Sequence, residues 1–314
     1  MNDEKVRDLV IIGGGPAGLA AGIYAARARL DTLLVEKLGQ GGQILLTDWI
    51  ENYPGFPEGI SGFELADLFG KQATKFGLDI LNGEVVDIKL KNHEKIVNLG
   101  NQIIKAKALI IATGASPSRL GIEGEDTYTG KGVSFCATCD GPFYREKVVA
   151  VVGGGNSAVE EALFLTKFAS KVYIIHRRDE LRATKILQER AFNNPKIEIL
   201  WDTVLVKIEG DSAGVNNLKI KNVKNNNVSD LKVDGVFIFV GTVPNTAFIP
   251  PEIERNSRGF LVTNENMETS VHGVFAAGDV RAKLLRQIVT AVGDGATAAF
   301  AAELYIQNEY QPST

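Results

Sequence analysis

After a charged start, the alternation of apolar and polar positions resolves into a short run, Leu9–Ile12, of the kind a strand buried on both faces makes. Gly13, Gly15 and Gly18 follow with the spacing G-x-G-x-x-G. Helix formers and small residues fill Ala17 to Arg29, and a second apolar run, Thr32–Val35, closes on Glu36. The predicted order is strand, glycine turn, helix, strand, with an acid at the end: a βαβ dinucleotide fingerprint.

The same order returns further along. Val148–Val152 reads as a strand, Gly153, Gly155 and Ala158 give G-x-G-x-x-A, and Val172–Ile175 forms the next strand. The interval from Gly13 to Glu36 equals that from Gly153 to His176. Each half then runs through short alternating strands and closes on an apolar strand ending in glycine, at Gly114 and Gly241. The polar stretch KNVKNNNVSD reads as hairpin-turn material. Beyond Gly241 the chain offers a strand, a Gly-Asp turn and a long helix, too little for a third core. It is expected to return to the first half. The prediction is an α/β fold of two Rossmann-like nucleotide-binding domains, the second inserted in the first: residues 1–116 with 247–314, and residues 117–246.

Composition narrows the function classes. With 314 residues, 45% hydrophobic and 23% charged, the chain is sized for two globular domains. A net charge of −4 argues against nucleic acid or an anionic membrane as partner. The acidic start MNDEKVRD lacks an apolar leader core, no run is long enough to span a bilayer, and two cysteines make no disulfide scaffold. A cytoplasmic protein is the expectation.

The two glycine turns differ at the equivalent strand ends. Glu36 can accept hydrogen bonds from a ribose diol and repels a 2′-phosphate. His176, Arg177 and Arg178, with Arg182 a helical turn on, offer cations suited to a 2′-phosphate. The plainer alternative is that HRRDELR is a solvated helix start. Charge-assisted bonds contribute about 1.5–3 kcal/mol each, so losing two costs roughly two to four powers of ten in affinity.

The only two cysteines, Cys136 and Cys139, form C-x-x-C just ahead of the second glycine turn. Zinc needs four ligands or three plus water, and His93, His176 and His272 are scattered. A coincidental thiol pair remains possible. The redox reading has positive support, because this spacing favours a thiolate. Asp140 could shuttle the accompanying proton, or serve only as a turn residue in Asp-Gly-Pro. A relay within a flavoenzyme fits the pair best.

The chain resembles the low-molecular-weight thioredoxin reductases of the two-dinucleotide-binding-domain flavoprotein superfamily. The resemblance runs over nearly its whole length, through GGGPAGLAAGIYAARA, GGQ with ENYPGFP, ATGA, CATCDG, GGGNSAVEEA, HRRDELRA and GVFAAGDVRAKLLRQIVTAVGDG. It implies FAD on the discontinuous domain: Gly13, Gly15, Pro16 and Ala17 near the pyrophosphate, Glu36 on the ribose with Lys37 beside it, and Gly42, Gln43, Asn52 and Val85 along the cofactor. Thr113 and Gly114 would close the site, and Asp279, Arg286, Gln287 and Ile288 would reach the ribityl chain and flavin ring. NADPH is implied on the inserted domain, at Gly153, Gly155, Asn156, Ser157, Glu160, His176, Arg177, Arg178 and Arg182. Cys139 would face the flavin, Cys136 would attack a protein disulfide, and Asp140 would act as acid and base. Domain rotation about Ala115–Arg119 and Gly241–Thr246 would alternate the two partners of the flavin. Thioredoxin is the implied substrate and a homodimer the usual assembly. Pro142 departs from the aromatic or small residue that relatives often carry, which bears on docking specificity. Ferredoxin or NADH as donor, another protein disulfide as acceptor, or a non-catalytic flavin redox sensor are the competing functions.

Overall fold

In a computed structural model of the chain, residues 5–47, 49–91, 94–135 and 137–310 are described. Among them are helices α1 (Pro16–Arg27), α2 (Gly62–Lys75), α3 (Ala137–Asp140), α4 (Asn156–Leu165), α5 (Lys185–Phe192) and α6 (Ile288–Tyr310). The chain divides into two compact units, residues 1–116 with 243–314, and residues 117–242.

The sheet of the first unit runs Asp79–Asn82, Thr32–Glu36, Val6–Ile12, Ile103–Ile111, Glu94–Asn98, Asp87–Lys91. The first four strands are parallel and the last two antiparallel. Ile103–Ile111 divides its far edge: Ile103 to Ala106 pair with Glu94–Asn98, whereas Leu109 to Ile111 pair with Val274–Ala276 in parallel. That late strand ties the C-terminal segment to the first half. Because side chains alternate across a sheet, Leu9, Ile11 and Ile110 pack beneath α1 and α6, while Val10, Ile12 and Ile111 join the core of the opposite face. Helix α1 is buried on nearly every side, as its run of alanines and glycines permits. Gly295 of α6 meets it so closely that an added Cβ would lie 2.1 Å from the Ala17 carbonyl oxygen.

The second unit repeats the parallel order as Ile197–Leu200, Lys171–Ile175, Val148–Gly153, Gly235–Phe239, Val133–Ser134. Helix α4 covers one face through Ala158, Val159, Ala162 and Leu165. The other face is covered by an antiparallel sheet of Thr203–Asp211, Gly214–Asn222 and Val228–Leu231. The asparagine-rich stretch is the hairpin connection between the last two.

The plainer alternative for HRRDELR, a solvated helix start, is not what forms: residues 177–184 are bends and coil and α5 begins only at Lys185. The backbone N–H groups of Arg182 and Ala183 are drawn back to the Gly154 carbonyl, at 2.7 and 3.1 Å, which pins the segment against the glycine turn instead of letting it coil.

Candidate functional site

In the first unit the glycines answer steric demands. A Cβ on Gly13 (φ +105°) would stand 2.4 Å from the Ala112 carbonyl oxygen, and one on Gly18 would stand 1.8 Å from the Gly13 carbonyl oxygen. The turn therefore closes only with glycine. Gly15 caps α1 with no side-chain hydrogen bond and nothing within 4 Å of where its Cβ would be, and Pro16 begins the helix. Helix α2 is different, with a full capping box between Ser61 and Glu64. A helix start left uncapped, with open space before it, is suited to an anionic group such as a pyrophosphate.

Further candidates gather around that turn. Glu36 accepts from the Gly14 N–H through Oε2 and from the Leu38 N–H through Oε1, so the carboxylate is held at the strand end with lone pairs to spare. Gly41 donates to the Gly14 carbonyl at 2.7 Å, and a Cβ on Gly42 would come 3.2 Å from the Gly15 Cα. Thr113 and Gly114 follow Ala112 directly, and Asn245 fixes them with Nδ2 donating to the Thr113 carbonyl at 2.9 Å. Asp279 lies beside Gly278, whose Cβ position is 2.9 Å from the Ala17 Cβ. Its Oδ1 is buried with no partner among the described residues, and burial pushes the carboxyl above its ordinary value.

Other candidates are spread more widely. Asn52 donates to Gln287 at 2.9 Å, joining residues distant in sequence. Arg286 lies 4.1 Å from the centre of the Phe260 ring, and Ile288 packs on the small core around Ile44 and Ile50. Gln43 is exposed, in the one-turn helix Gly42–Leu46. Val85 is buried in the core with Val35 and Leu99. Lys37 is engaged with Glu84 at 2.6 Å. Sequence reading overlooked Asp294, whose carboxylate accepts from the Gly278 N–H, Arg281 and Lys283 at 3.0, 2.9 and 2.7 Å and so braces the backbone that carries Asp279. An acid among the small and apolar residues of the first half of α6 was the available signal.

The second unit builds the same turn. A Cβ on Gly153 (φ +151°) would lie 2.4 Å from the Phe239 carbonyl oxygen, and Gly155 caps α4 with open space before it. Arg177, Arg178 and Arg182 are exposed beside it, as is Ser157. Asn156 accepts from the Thr184 N–H at 2.8 Å. Glu160 is exposed on α4.

His176 departs from expectation. It is 4% exposed, and its ring lies so close over Gly154 that a Cβ there would meet it at 2.3 Å. Nε2 is 3.0 Å from the Glu180 carbonyl oxygen. Burial lowers the imidazole's pKa, the Glu180 carbonyl opposes that, and Arg182, Arg178 and Arg177 add to the lowering. The ring packs against the glycine turn, and the exposed cations beside this strand end are the arginines.

Cys136 lies outside the described residues, as does the Cys139 side chain. Around them, the backbone from Ala137 to Asp140 forms α3, and Gly141–Tyr144 a further helical turn. Asp140 is half-buried, while Pro142 and Phe143 are exposed. Tyr144 sits edge-on to Phe237 at 5.2 Å between ring centres, and its hydroxyl is pushed up to about 12, first by burial and then by Asp140 and Asp234. The Ala137 N–H donates to the carboxylate of Glu161 on α4, a residue sequence reading did not single out.

Two glycine turns on repeated βαβ units and a C-x-x-C segment on the second unit suit dinucleotide-linked disulfide chemistry. Residues 7–295 match the family model described as pyridine nucleotide-disulphide oxidoreductase. The thioredoxin reductase of Bacillus subtilis strain 168 is 46% identical over 307 residues, covering 98% of this chain and 97% of its own. That of Listeria innocua is 47% identical over 307 residues, covering 98% and 96%. The crystal structure of Lactococcus lactis thioredoxin reductase superposes with a TM-score of 0.94 at 44% identity, covering 96% of this chain and 99% of that one.

Proposed function

The chain belongs to the pyridine nucleotide-disulphide oxidoreductase family, among its low-molecular-weight thioredoxin reductases, and from that premise we propose how its residues divide the work. It is an oxidoreductase with FAD and NADPH as cofactors and thioredoxin as the protein substrate. The first unit holds FAD and the second holds NADPH. The observation that carries this division is the chemistry at the equivalent strand ends: a fixed carboxylate bonded to the first glycine turn, and exposed arginines beside the second.

The residues of the first unit fit a flavin dinucleotide. The uncapped start of α1 receives the pyrophosphate, Glu36 takes the ribose hydroxyls, and the unpartnered Oδ1 of Asp279 is an acceptor for a ribityl hydroxyl. Bound FAD supplies two-electron exchange between the nicotinamide and the Cys136–Cys139 disulfide. On the second unit, Arg177, Arg178 and Arg182 take the 2′-phosphate, and the start of α4 takes the NADPH pyrophosphate. With the pair reduced, the Cys136 thiolate attacks the thioredoxin disulfide and releases one thioredoxin thiolate. Cys139 then attacks the Cys136 sulfur of the mixed disulfide, displacing the second thioredoxin thiolate and restoring the pair's own disulfide. Asp140 carries the protons that the leaving thiolates take up. The working assembly is a homodimer in the cytoplasm. Among the described residues, no helix is long and apolar enough to cross a membrane.

The test is an anaerobic titration of the flavoprotein with NADPH, then with oxidised thioredoxin, followed by flavin absorbance. The reading requires bleaching and then recovery, with recovery lost in Cys136→Ser and Cys139→Ser. Bleaching without recovery in the unaltered protein would exclude thioredoxin as acceptor.

A further inference from the structure

Helix α4 places an acid where its apolar face should be. Ala158, Ala162 and Leu165 are buried against the sheet, and Glu161, three residues after Ala158 and four before Leu165, shares their side of the helix. Its side chain is half-buried, Oε2 is shut off from solvent and has no partner among the described residues, and the carboxylate accepts the Ala137 N–H. Ala137 lies between the two cysteines, so the amide that Glu161 engages belongs to the C-x-x-C backbone itself.

A buried acceptor with one satisfied and one empty oxygen is costly as a structural brace alone. An asparagine or glutamine would hold the same N–H without a charge. We propose that Glu161 is a positioning residue for the redox pair: it anchors the backbone between Cys136 and Cys139, and its own protonation sets how readily that pair forms a thiolate. The inference rests on reading Cys136 and Cys139 as the redox pair.

Reducing a disulfide to one thiol and one thiolate takes up two electrons and one proton, and the second proton joins with the thiolate. A negative Glu161 disfavours that thiolate, and a neutral one permits it. The carboxyl is pushed up to about 7, chiefly by burial, then by the neighbouring charge of Glu160, with the Ala137 N–H opposing both. A thiolate in a C-x-x-C spacing forms in the same range, and groups that interact this closely would titrate as a coupled set. The surrounding elements bring few other charges. The strands Val148–Val152 and Gly235–Phe239 have none, Lys171 on the neighbouring strand is paired with Glu198, α3 carries Asp140, and α5 carries the exposed Lys185, Glu189 and Arg190.

The experiment is thiol alkylation. The flavoprotein is reduced with excess dithiothreitol, desalted anaerobically and treated with iodoacetamide from pH 5.5 to 9.5, with the rate at each cysteine read by mass spectrometry. In the unaltered protein the rate should rise with pH in two steps, one near the Glu161 transition. Glu161→Gln keeps an oxygen for the Ala137 N–H and removes the charge. It should give a single step, with the thiolate fraction at pH 7.5 raised about three- to tenfold. Glu161→Asp keeps a titratable group and should retain two steps, and flavin absorbance reports whether each variant is folded. A Glu161→Gln profile that superimposes on the unaltered one overturns the proposal. So does a Glu161→Asp profile with one step, which is decisive where Glu161→Gln does not fold. Reduction of the unaltered protein by NADPH in place of dithiothreitol separates the two ideas. If NADPH fails to expose the thiols, the redox-pair reading fails. If NADPH exposes them but the variant's profile is unchanged, only the role of Glu161 fails.

Discussion

Replacing Glu161 with glutamine is expected to stabilise the protein above neutral pH and to leave it nearly unchanged in mild acid. In the folded state the carboxyl is pushed up from 4.5 to about 7, while the unfolded chain ionises it near its ordinary value of about 4.3. A folded-state value above the unfolded one means that the native state favours the neutral acid. Below the unfolded value both states hold the proton and there is no penalty. As pH rises from there through 7, the native state must either ionise a buried group or keep a proton that the solvent would take. The rise from about 4.3 to about 7, at about 1.4 kcal/mol per pH unit, sets a ceiling near 3.7 kcal/mol. Residual solvent access brings the expected cost to about 2 kcal/mol. Glutamine preserves the volume and the acceptor for the Ala137 N–H and has no charge to bury. Differential scanning calorimetry of the FAD-replete protein and its Glu161→Gln variant reads the difference, about 4 °C in Tm for 2 kcal/mol in a protein of this size. The gap should be small near pH 4, widen through pH 5 to 7 and level off by about pH 8.5. A gap that does not vary with pH, or an unaltered protein that is the more stable of the two at pH 8.5, would refute the reasoning.

Three further outcomes follow from the geometry. Arg177→Ala combined with Arg178→Ala should raise KM for NADPH by about a hundredfold, the low end expected for exposed charge-assisted bonds, with little change for NADH; equal effects on both would remove the phosphate argument. Gly18→Ala sets a Cβ 1.8 Å from the Gly13 carbonyl oxygen, so the glycine turn must open and the purified variant should carry little flavin; a full complement of FAD would undo the account of that turn. Lys95 is 1% exposed, its ammonium has no hydrogen-bond partner among the described residues, and burial lowers its pKa against the pull of Glu309. Lys95→Met should therefore raise stability by about 1–2 kcal/mol at pH 7, after allowing for the lost contact with the Tyr305 ring 5.5 Å away. Because the lysine's folded-state value is depressed, the unaltered protein regains that stability as pH climbs toward about 10.4, and the advantage of methionine should shrink there. A lower Tm for Lys95→Met at pH 7 would show that the buried cation is a net contributor.

How far the sequence could be read depended on whether backbone or side-chain packing decided the outcome. The repeated strand, turn and helix were legible because a tight turn that demands glycine marks the sequence at fixed spacing, even though the carbonyls that demand it at Gly13 and Gly153 belong to Ala112 and Phe239. The equal intervals to Glu36 and His176 were legible for the same reason, since Glu36 ends the second strand of its βαβ unit and His176 directly follows the second strand of the other. What each side chain does there was not legible. Glu36 turns to the Gly14 N–H, and His176 lies flat over the equivalent Gly154. A carboxylate needs a donor, whereas an imidazole can shed its charge and pack. The same limit left a helix start open as the alternative for HRRDELR: the Gly154 carbonyl that captures the Arg182 and Ala183 N–H groups is far from them in sequence. Glu161 and Asp294 share a signal that could have found them, an acid at helical spacing from the buried small and apolar residues of its helix. Pattern reading treats such a residue as noise, but burying a carboxylate costs several kcal/mol unless something nearby repays it. For Asp294 the repayment is visible as Arg281, Lys283 and the Gly278 N–H. For Glu161 a single N–H does not cover the cost. The shortfall is reflected in its raised pKa, and a group that titrates near neutrality while bonded to the backbone of the C-x-x-C segment gives the chain a reason to have kept an acid there.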